Sequence, residues 1–204
     1  INGREAKPKQ IKAQIAAQQK NTEPITLNEH DAIWGSNDAP FTLVAYIDYE
    51  CPYCKNLYQS IREIEDDYIE TGKVKVVFRD LPLKMHEHAE TIAAAAECAR
   101  KQGKFWEFAH LALTNTDPFR EEILQNWARK LNIELNEECL EDPKTRNVVR
   151  EDIKDARSRR LTGTPAIFIN DTYYRGTIPA SDLKLIFEGK KPEKKKRSGA
   201  CNPK

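Results

Sequence analysis

The chain has little of what would let it cross a membrane, grip nucleic acid or hold a metal. No apolar run approaches the ~20 residues that a transmembrane helix needs. Lys and Arg number 33 against 32 Asp and Glu, a formal net charge of +1, so there is no general electrostatic case for nucleic-acid binding. The sequence starts at Ile1 and shows no signal peptide, which reads as a processed or trimmed product. There is one Cys-x-x-Cys and no second cysteine pair, whereas zinc sites commonly use two such pairs or a cysteine pair with a histidine pair. The nearest candidates, His86 and His88, follow a different segment with no further ligands beside them, so no metal is expected. His30 and His110 carry no signal above packing or surface roles.

What is present is a globular composition, 39% hydrophobic and 32% charged, in 204 residues. That length suits one domain, or one domain carrying an insertion. Five cysteines exceed what a cytosolic chain of this size needs, and their placement suits an oxidising compartment.

The most informative segment is Cys51-Pro52-Tyr53-Cys54, which directly follows the apolar run Phe41-Thr42-Leu43-Val44-Ala45-Tyr46-Ile47. Leu57, Ile61, Ile64, Tyr68 and Ile69 then recur at helical spacing, so a strand feeds a Cys-x-x-Cys that opens a helix. At a helix N-terminus the unpaired N–H groups and the positive end of the dipole favour a thiolate, which assigns the reactive sulfur to Cys51. Pro52 falls at the first helical position, where its missing N–H costs nothing, and Cys54 lies one turn in. The competing reading, half of a zinc site, lacks its other half. Far along the chain Leu161-Thr162-Gly163-Thr164-Pro165 precedes the apolar run Ala166-Ile167-Phe168-Ile169. An X–Pro bond is where a cis peptide is cheap; the alternative is an ordinary turn before a strand.

Residues 10–20, rich in Ala, Gln and Lys, predict a helix with a thin apolar stripe at Ile11 and Ile15. Residues 1–24 are therefore either a frayed leader or an assembling arm. Trp34-Gly35-Ser36-Asn37-Asp38-Ala39-Pro40 is a turn-rich approach to the first core strand. Val74, Val76, Val77 and Phe78 predict a second strand after the Thr71-Gly72 break. Residues 86–160 read as helical throughout, an insertion of about seventy residues with a small core of its own. Strands over 166–170 and 172–174, a hairpin turn at Asn170-Asp171 and a helix over 181–188 capped by Ser181 close the pattern. Residues 189–204 are basic and poor in apolar side chains, so a solvated disordered tail is expected, with contact to an anionic membrane or cell-wall polymer as the alternative.

Four short motifs in this order resemble the DsbA-like branch of the thioredoxin superfamily over roughly residues 25–188. They are Asp48-Tyr49-Glu50-Cys51-Pro52-Tyr53-Cys54, then Arg79-Asp80-Leu81-Pro82-Leu83, then Ala95-Ala96-Glu97-Cys98-Ala99 with Gln102-Gly103-Lys104-Phe105-Trp106, and Gly163-Thr164-Pro165. The resemblance implies an α/β, thioredoxin-like fold made of residues 25–85 and 161–188, with a helical insertion at 86–160. It implies a cis-Pro165 facing the Cys51–Cys54 pair, a Thr164 backbone free to pair with an extended substrate peptide, and Pro52 and Tyr53 shaping the field around both sulfurs. It pairs Cys98 with Cys139 as a structural disulfide, the alternative being two buried thiols. Cys201 is left over, either a free thiol or a residue for intermolecular pairing. Some relatives dimerise or trimerise through an N-terminal arm, so the resemblance also offers residues 1–24 as a homo-oligomer contact.

The activity implied is that of an extracytoplasmic thiol–disulfide oxidoreductase, periplasmic or extracellular. It would oxidise unfolded or reduced proteins through a Cys51–Cys54 disulfide. No cofactor is implied beyond that redox pair; a DsbB-like membrane quinone reductase or its equivalent would reoxidise it. Isomerase and reductase roles use the same scaffold. Glutaredoxin-like chemistry shares Cys-Pro-Tyr-Cys, but the long helical insertion argues against it. A redox-inert binding module would be expected to lose one of the two cysteines, and both are here. One departure stands out: many relatives carry a buried Glu six residues before the first Cys, where this chain has Ala45. Asp48 or Glu50 could substitute, or both are solvated loop charges. His86 is a candidate to add a cationic imidazole near the thiolate.

Overall fold

The apolar runs that flank the cysteine motif and the Thr-Pro motif build one sheet. The computed structural model describes residues 23–190 and 199–202. The helix expected within residues 1–22 and the basic run 191–198 lie outside the described residues. Strand β1 is Ile33–Trp34, β2 Phe41–Ile47, β3 Val74–Asp80, β4 Ala166–Ile169 and β5 Thr172–Arg175. Their order across the sheet is β1-β3-β2-β4-β5, with β2 and β3 parallel and the other pairs antiparallel. Central β2 is covered on both faces, as its unbroken run of buried residues from Leu43 to Ile47 requires. Strand β1 precedes and overlaps by Trp34 the turn-rich approach Trp34–Pro40; two residues carry too short a pattern to announce a strand.

Helix α1, Pro52–Arg62, starts at the cysteine motif. The sequence pattern ran on to Tyr68 and Ile69, but the α-helix stops at Arg62 and the chain continues as a π-helical turn, Glu65–Ile69. Ile64 and Ile69 are both fully buried. An α-helix would rotate two residues five apart by about 140° from one another; the wider i→i+5 turn, closed by Glu70 N–H to the Glu65 carbonyl, returns both to the core side.

Between β3 and β4 lie α2 (Ala89–Lys101), α3 (Phe105–Thr114), α4 (Glu121–Leu131), the short α5 (Glu137–Glu141) and α6 (Pro143–Ser158). Helix α2 is buried almost all round, and its alanines let α3, α5 and α6 approach closely. The helices do not bury a core of their own: Phe108, Trp127 and Leu124 belong to the same cluster as Leu43, Ile47 and Phe168. Trp106 makes the join, its ring 5.0 Å from Phe78 and 5.2 Å from Trp34. Arg79 ties the same seam from β3. It donates to Asp31 at 2.8 and 3.0 Å, to Asp155 on α6 at 2.9 Å and to the Thr26 carbonyl at 2.7 Å.

The closing helix α7 is Ala180–Phe187, and its N-cap is Pro179 rather than Ser181, with no side-chain cap. The tail expectation fails at its end. Residues 199–202 return to the body of the protein, where Cys201 forms an antiparallel bridge with Thr164 and is buried.

Candidate active site

Cys51 is the N-cap of α1 and Pro52 its first residue. The Cys51 carbonyl accepts from Cys54 N–H at 3.0 Å and Lys55 N–H at 3.2 Å, which sets Cys54 one turn into the helix. The loop before it is built by Asp48, a buried carboxylate. One oxygen accepts from Glu50 N–H at 2.8 Å; the other accepts from Leu83 N–H at 2.7 Å and pairs with His86 Nδ1 at 2.8 Å. Of the two acids weighed as substitutes at Ala45, Asp48 lies closer to the chemistry: its backbone N–H points at Cys54 Sγ, 3.5 Å away. Glu50 accepts from His88 N–H at 2.7 Å and so fastens the start of α2. His86 is engaged by Asp48, and the His88 ring packs on Phe119 at 4.7 Å. Among the described residues no group of three His, Cys, Asp or Glu could hold a metal ion.

Across from α1 the Thr164–Pro165 peptide bond is cis, and Thr164 is fully buried. Its carbonyl oxygen lies 3.5 Å from Cys51 Sγ. Cys51, Cys54, Thr164 and Pro165 thus meet at one point although 113 residues separate Cys51 from Thr164.

The pairing of the sulfurs differs from the expected Cys51–Cys54 disulfide. Cys51 is joined to Cys201, and Cys54 is a buried free thiol. The reason lies in the backbone. Thr164 N–H donates to the Cys201 carbonyl at 2.9 Å and Cys201 N–H donates to the Thr164 carbonyl at 2.6 Å, so Cys201 pairs as an antiparallel bridge against the Thr164–Pro165 loop. That register delivers Cys201 to Cys51, with Cα atoms 6.2 Å apart. Burial pushes the Cys54 thiol up to about 12, and the Asp48 N–H and Thr164 hydroxyl that a thiolate would engage draw it back. Thr164 Oγ1 is itself buried and without a partner in this state; a Cys54 thiolate would supply its acceptor. Elsewhere, a disulfide joins Cys98 on α2 to Cys139 on α5.

Behind the site lies a buried acidic group, of which Asp80 and Glu97 belong to motifs already quoted and Asp152 does not. Asp80 N–H donates to Asp152 Oδ2 at 2.8 Å, and Asp80 Oδ2 and the Tyr49 hydroxyl are both buried without partners. Burial, then the charges of Glu97, Asp152 and Asp48, hold the Asp80 carboxyl well above the usual range, while burial pushes Asp152 up to about 7. Asp152 sits on a helix where acids ordinarily face water, so no local signal marks it; Glu97 lies inside the Ala95–Ala99 motif, whose pattern says nothing of its burial. For Cys201 a signal did exist, an odd cysteine at the end of a polar tail.

A family model described as Thioredoxin matches residues 27–188. The chain belongs to the thioredoxin family. Its fold is similar to that of alpha-DsbA1 of Wolbachia pipientis, with a TM-score of 0.72 at 21% identity over 81% of this chain and 92% of that one. The catalytic domain of Proteus mirabilis ScsC superposes with a TM-score of 0.67 at 23% identity, covering 88% of this chain and 96% of that domain. The α/β, DsbA-like fold expected from the motifs is the fold observed. In sequence, the chain is 36% identical over 151 residues to the Na(+)/H(+) antiporter NhaA 3 of Salinispora tropica, a match covering 72% of this chain and 23% of that protein. The chain therefore spans about a quarter of the length of such curated relatives. No helix among the described residues is long and apolar enough to cross a membrane.

Proposed function

We propose that this protein is a thiol–disulfide oxidoreductase that oxidises cysteines of unfolded or reduced proteins on the extracytoplasmic side of a membrane. The observation that carries the proposal is the placement of Cys51 at the N-cap of α1, with Cys54 one turn in and the Thr164 backbone opposite. Helix N–H groups stabilise a Cys51 thiolate, which makes Cys51 the good leaving group. Cys54, withdrawn from water, is the poor one.

In the exchange-competent oxidised form, as distinct from the Cys51–Cys201 form seen here, Cys51 and Cys54 share a disulfide. A substrate thiolate attacks Cys51 Sγ; the Cys51–Cys54 bond breaks, and Cys54 leaves as a thiolate and takes up a proton. The second substrate thiolate then attacks the substrate sulfur of this mixed disulfide. Cys51 departs as a thiolate, the substrate has lost two electrons, and the enzyme is left as a dithiol. The Thr164 N–H and carbonyl, which pair with an extended segment here, suit a substrate backbone during both steps. A DsbB-like quinone reductase, or another disulfide or quinone oxidant, would restore the pair; no prosthetic group takes part. Two disulfides within the chain support an oxidising compartment.

Direction is tested by mixing the oxidised protein with a reduced, unfolded disulfide protein and, separately, with its scrambled form. Rapid oxidation of the first with weak rescue of the second is expected. Strong rescue of the scrambled substrate with slow oxidation would make the protein an isomerase.

A further inference from the structure

Residues 199–202 lie where a substrate would lie. Gly199–Asn202 pairs with Thr164 through both backbone bonds, and Thr177 N–H donates to the Gly199 carbonyl at 3.2 Å. Arg175 adds a bond to Asn202 Oδ1 at 2.7 Å. Three glycines make the path. A Cβ on Gly163 would stand 2.1 Å from the Cys201 carbonyl oxygen, one on Gly199 2.1 Å from the Tyr53 ring, and one on Gly176 2.8 Å from the Gly199 carbonyl oxygen. Gly199 also has φ +101°, in the region that favours glycine. An unattached solvated tail would need none of these. The fit involves α1 through Tyr53, the Thr164–Pro165 loop through Gly163, and the turn after β5 through Gly176.

We propose that Cys201 is a third redox cysteine and that its segment is a tethered substrate, a latch that closes the groove until Cys54 releases it. This rests on the reading of Cys51 and Cys54 as an exchange pair. The release step needs no outside oxidant. Cys54 loses its proton and its thiolate attacks Cys51 Sγ; the Cys51–Cys54 bond forms as the Cys51–Cys201 bond breaks. Cys201 leaves as a thiolate and takes up a proton. Two sulfurs remain oxidised throughout, so the latched and open forms are isomers with the same number of electrons. In the latched form Cys51 is fully buried and cannot meet an external thiol. Once released, the segment is held only by hydrogen bonds, those of its backbone and the one from Arg175 to Asn202, and a substrate peptide can displace it. The buried Cys54 thiol makes release slow at neutral pH and faster as pH rises.

Three full-length variants test this. In Cys54→Ala, incubated with a mixture of reduced and oxidised glutathione, most molecules should carry the Cys51–Cys201 bond in a non-reduced digest. Cys51 capped by glutathione with Cys201 open to alkylation would overturn the latch, and this readout does not depend on substrate turnover. Cys201→Ser, oxidised at Cys51–Cys54, should react with a micromolar reduced peptide on the order of tenfold or more faster than the latched wild type, since a tethered segment competes at about millimolar effective concentration. Equal rates would overturn the proposal. Gly163→Ala keeps all three cysteines and should shift the wild-type mixture from Cys51–Cys201 toward Cys51–Cys54; an unchanged ratio would count against a built groove for the tail. Were Cys201→Ser inert toward thiols while Cys54→Ala still latched, the reading of the protein as an oxidoreductase would fail and the docked tail would stand.

Discussion

Cys98–Cys139 joins residues 41 apart within one helical segment, whereas Cys51–Cys201 joins residues 150 apart and brings the segment around Cys201 onto the start of α1. The two bonds differ in their neighbours more than in their reach. Beside Cys51 sits the one free cysteine among the described residues, Cys54, three positions along the same helix. Nothing similar stands next to Cys98–Cys139, which closes α5 onto the buried alanine face of α2. A disulfide with an adjacent thiol can exchange; one packed away from any thiol can only be reduced by something that reaches it. The comparison separates a staple from a switch, and it can be broken from either side.

The largest effect belongs to Cys51. In the fully reduced protein, brief alkylation at mildly acidic pH should label Cys51 ahead of Cys54, because the N-cap position favours its thiolate while burial holds Cys54 as a thiol. Cys51→Ala should reduce disulfide exchange to background with the melting transition still cooperative. Labelling of Cys54 first would reverse the roles given to the two sulfurs.

Next in size is the staple. Closing a loop of this separation stabilises a fold by about 4 kcal/mol in the chain-entropy account. Cys98→Ala with Cys139→Ala should therefore lower Tm by roughly 10 °C. Exchange at Cys51 should be nearly unchanged. If the double variant lost exchange as well, the two disulfides would not be independent.

Much of the frame that separates these sites was legible because it is written in local periodicity. β2 and the start of α1 announced themselves through an apolar run followed by helical spacing at Leu57 and Ile61. The long helical segment showed in the patterns around Ala95, Phe108 and Trp127. The Thr164–Pro165 turn was visible as a motif, and its position opposite Cys51 came only with the resemblance. What escaped depends on tertiary register. Cys201 lies beyond a basic run whose composition says tail, and no spacing rule connects it to a residue 150 positions earlier. Gly163, Gly176 and Gly199 look like ordinary punctuation until the tail is laid across them. Asp152 resembles any other acid on a charged helix, yet α6 turns it toward β3, where it receives Asp80 N–H.

The last prediction concerns that buried acid, which leaves exchange untouched and moves only the pH dependence of stability, and it sharpens the distinction between site and scaffold. The unfolded Asp has a pKa near 3.9, while burial raises Asp152 to about 7 in the fold. Between about pH 4 and 7 the folded chain therefore holds more protons at this position than the unfolded chain. Its contribution to stability is fully present below that window and is lost as pH rises through it. Asp152→Asn, which keeps an acceptor for Asp80 N–H, should flatten this part of the stability–pH curve. Thermal melts across the window check it; an unchanged slope would show that Asp152 does not carry the dependence.

The account's central claim, that one disulfide is poised for exchange and the other is structural, is tested most directly by graded reduction. Protein prepared without reductant is equilibrated with increasing ratios of reduced to oxidised glutathione, quenched with acid, alkylated, and mapped cysteine by cysteine. The account predicts that Cys51 and its partner become alkylatable at ratios that leave Cys98–Cys139 closed, because reducing the first frees a Cys51 thiolate favoured by the N-terminus of α1, whereas opening the second gives up part of the fold's stability. Simultaneous opening of both bonds, or opening of Cys98–Cys139 first, would contradict it.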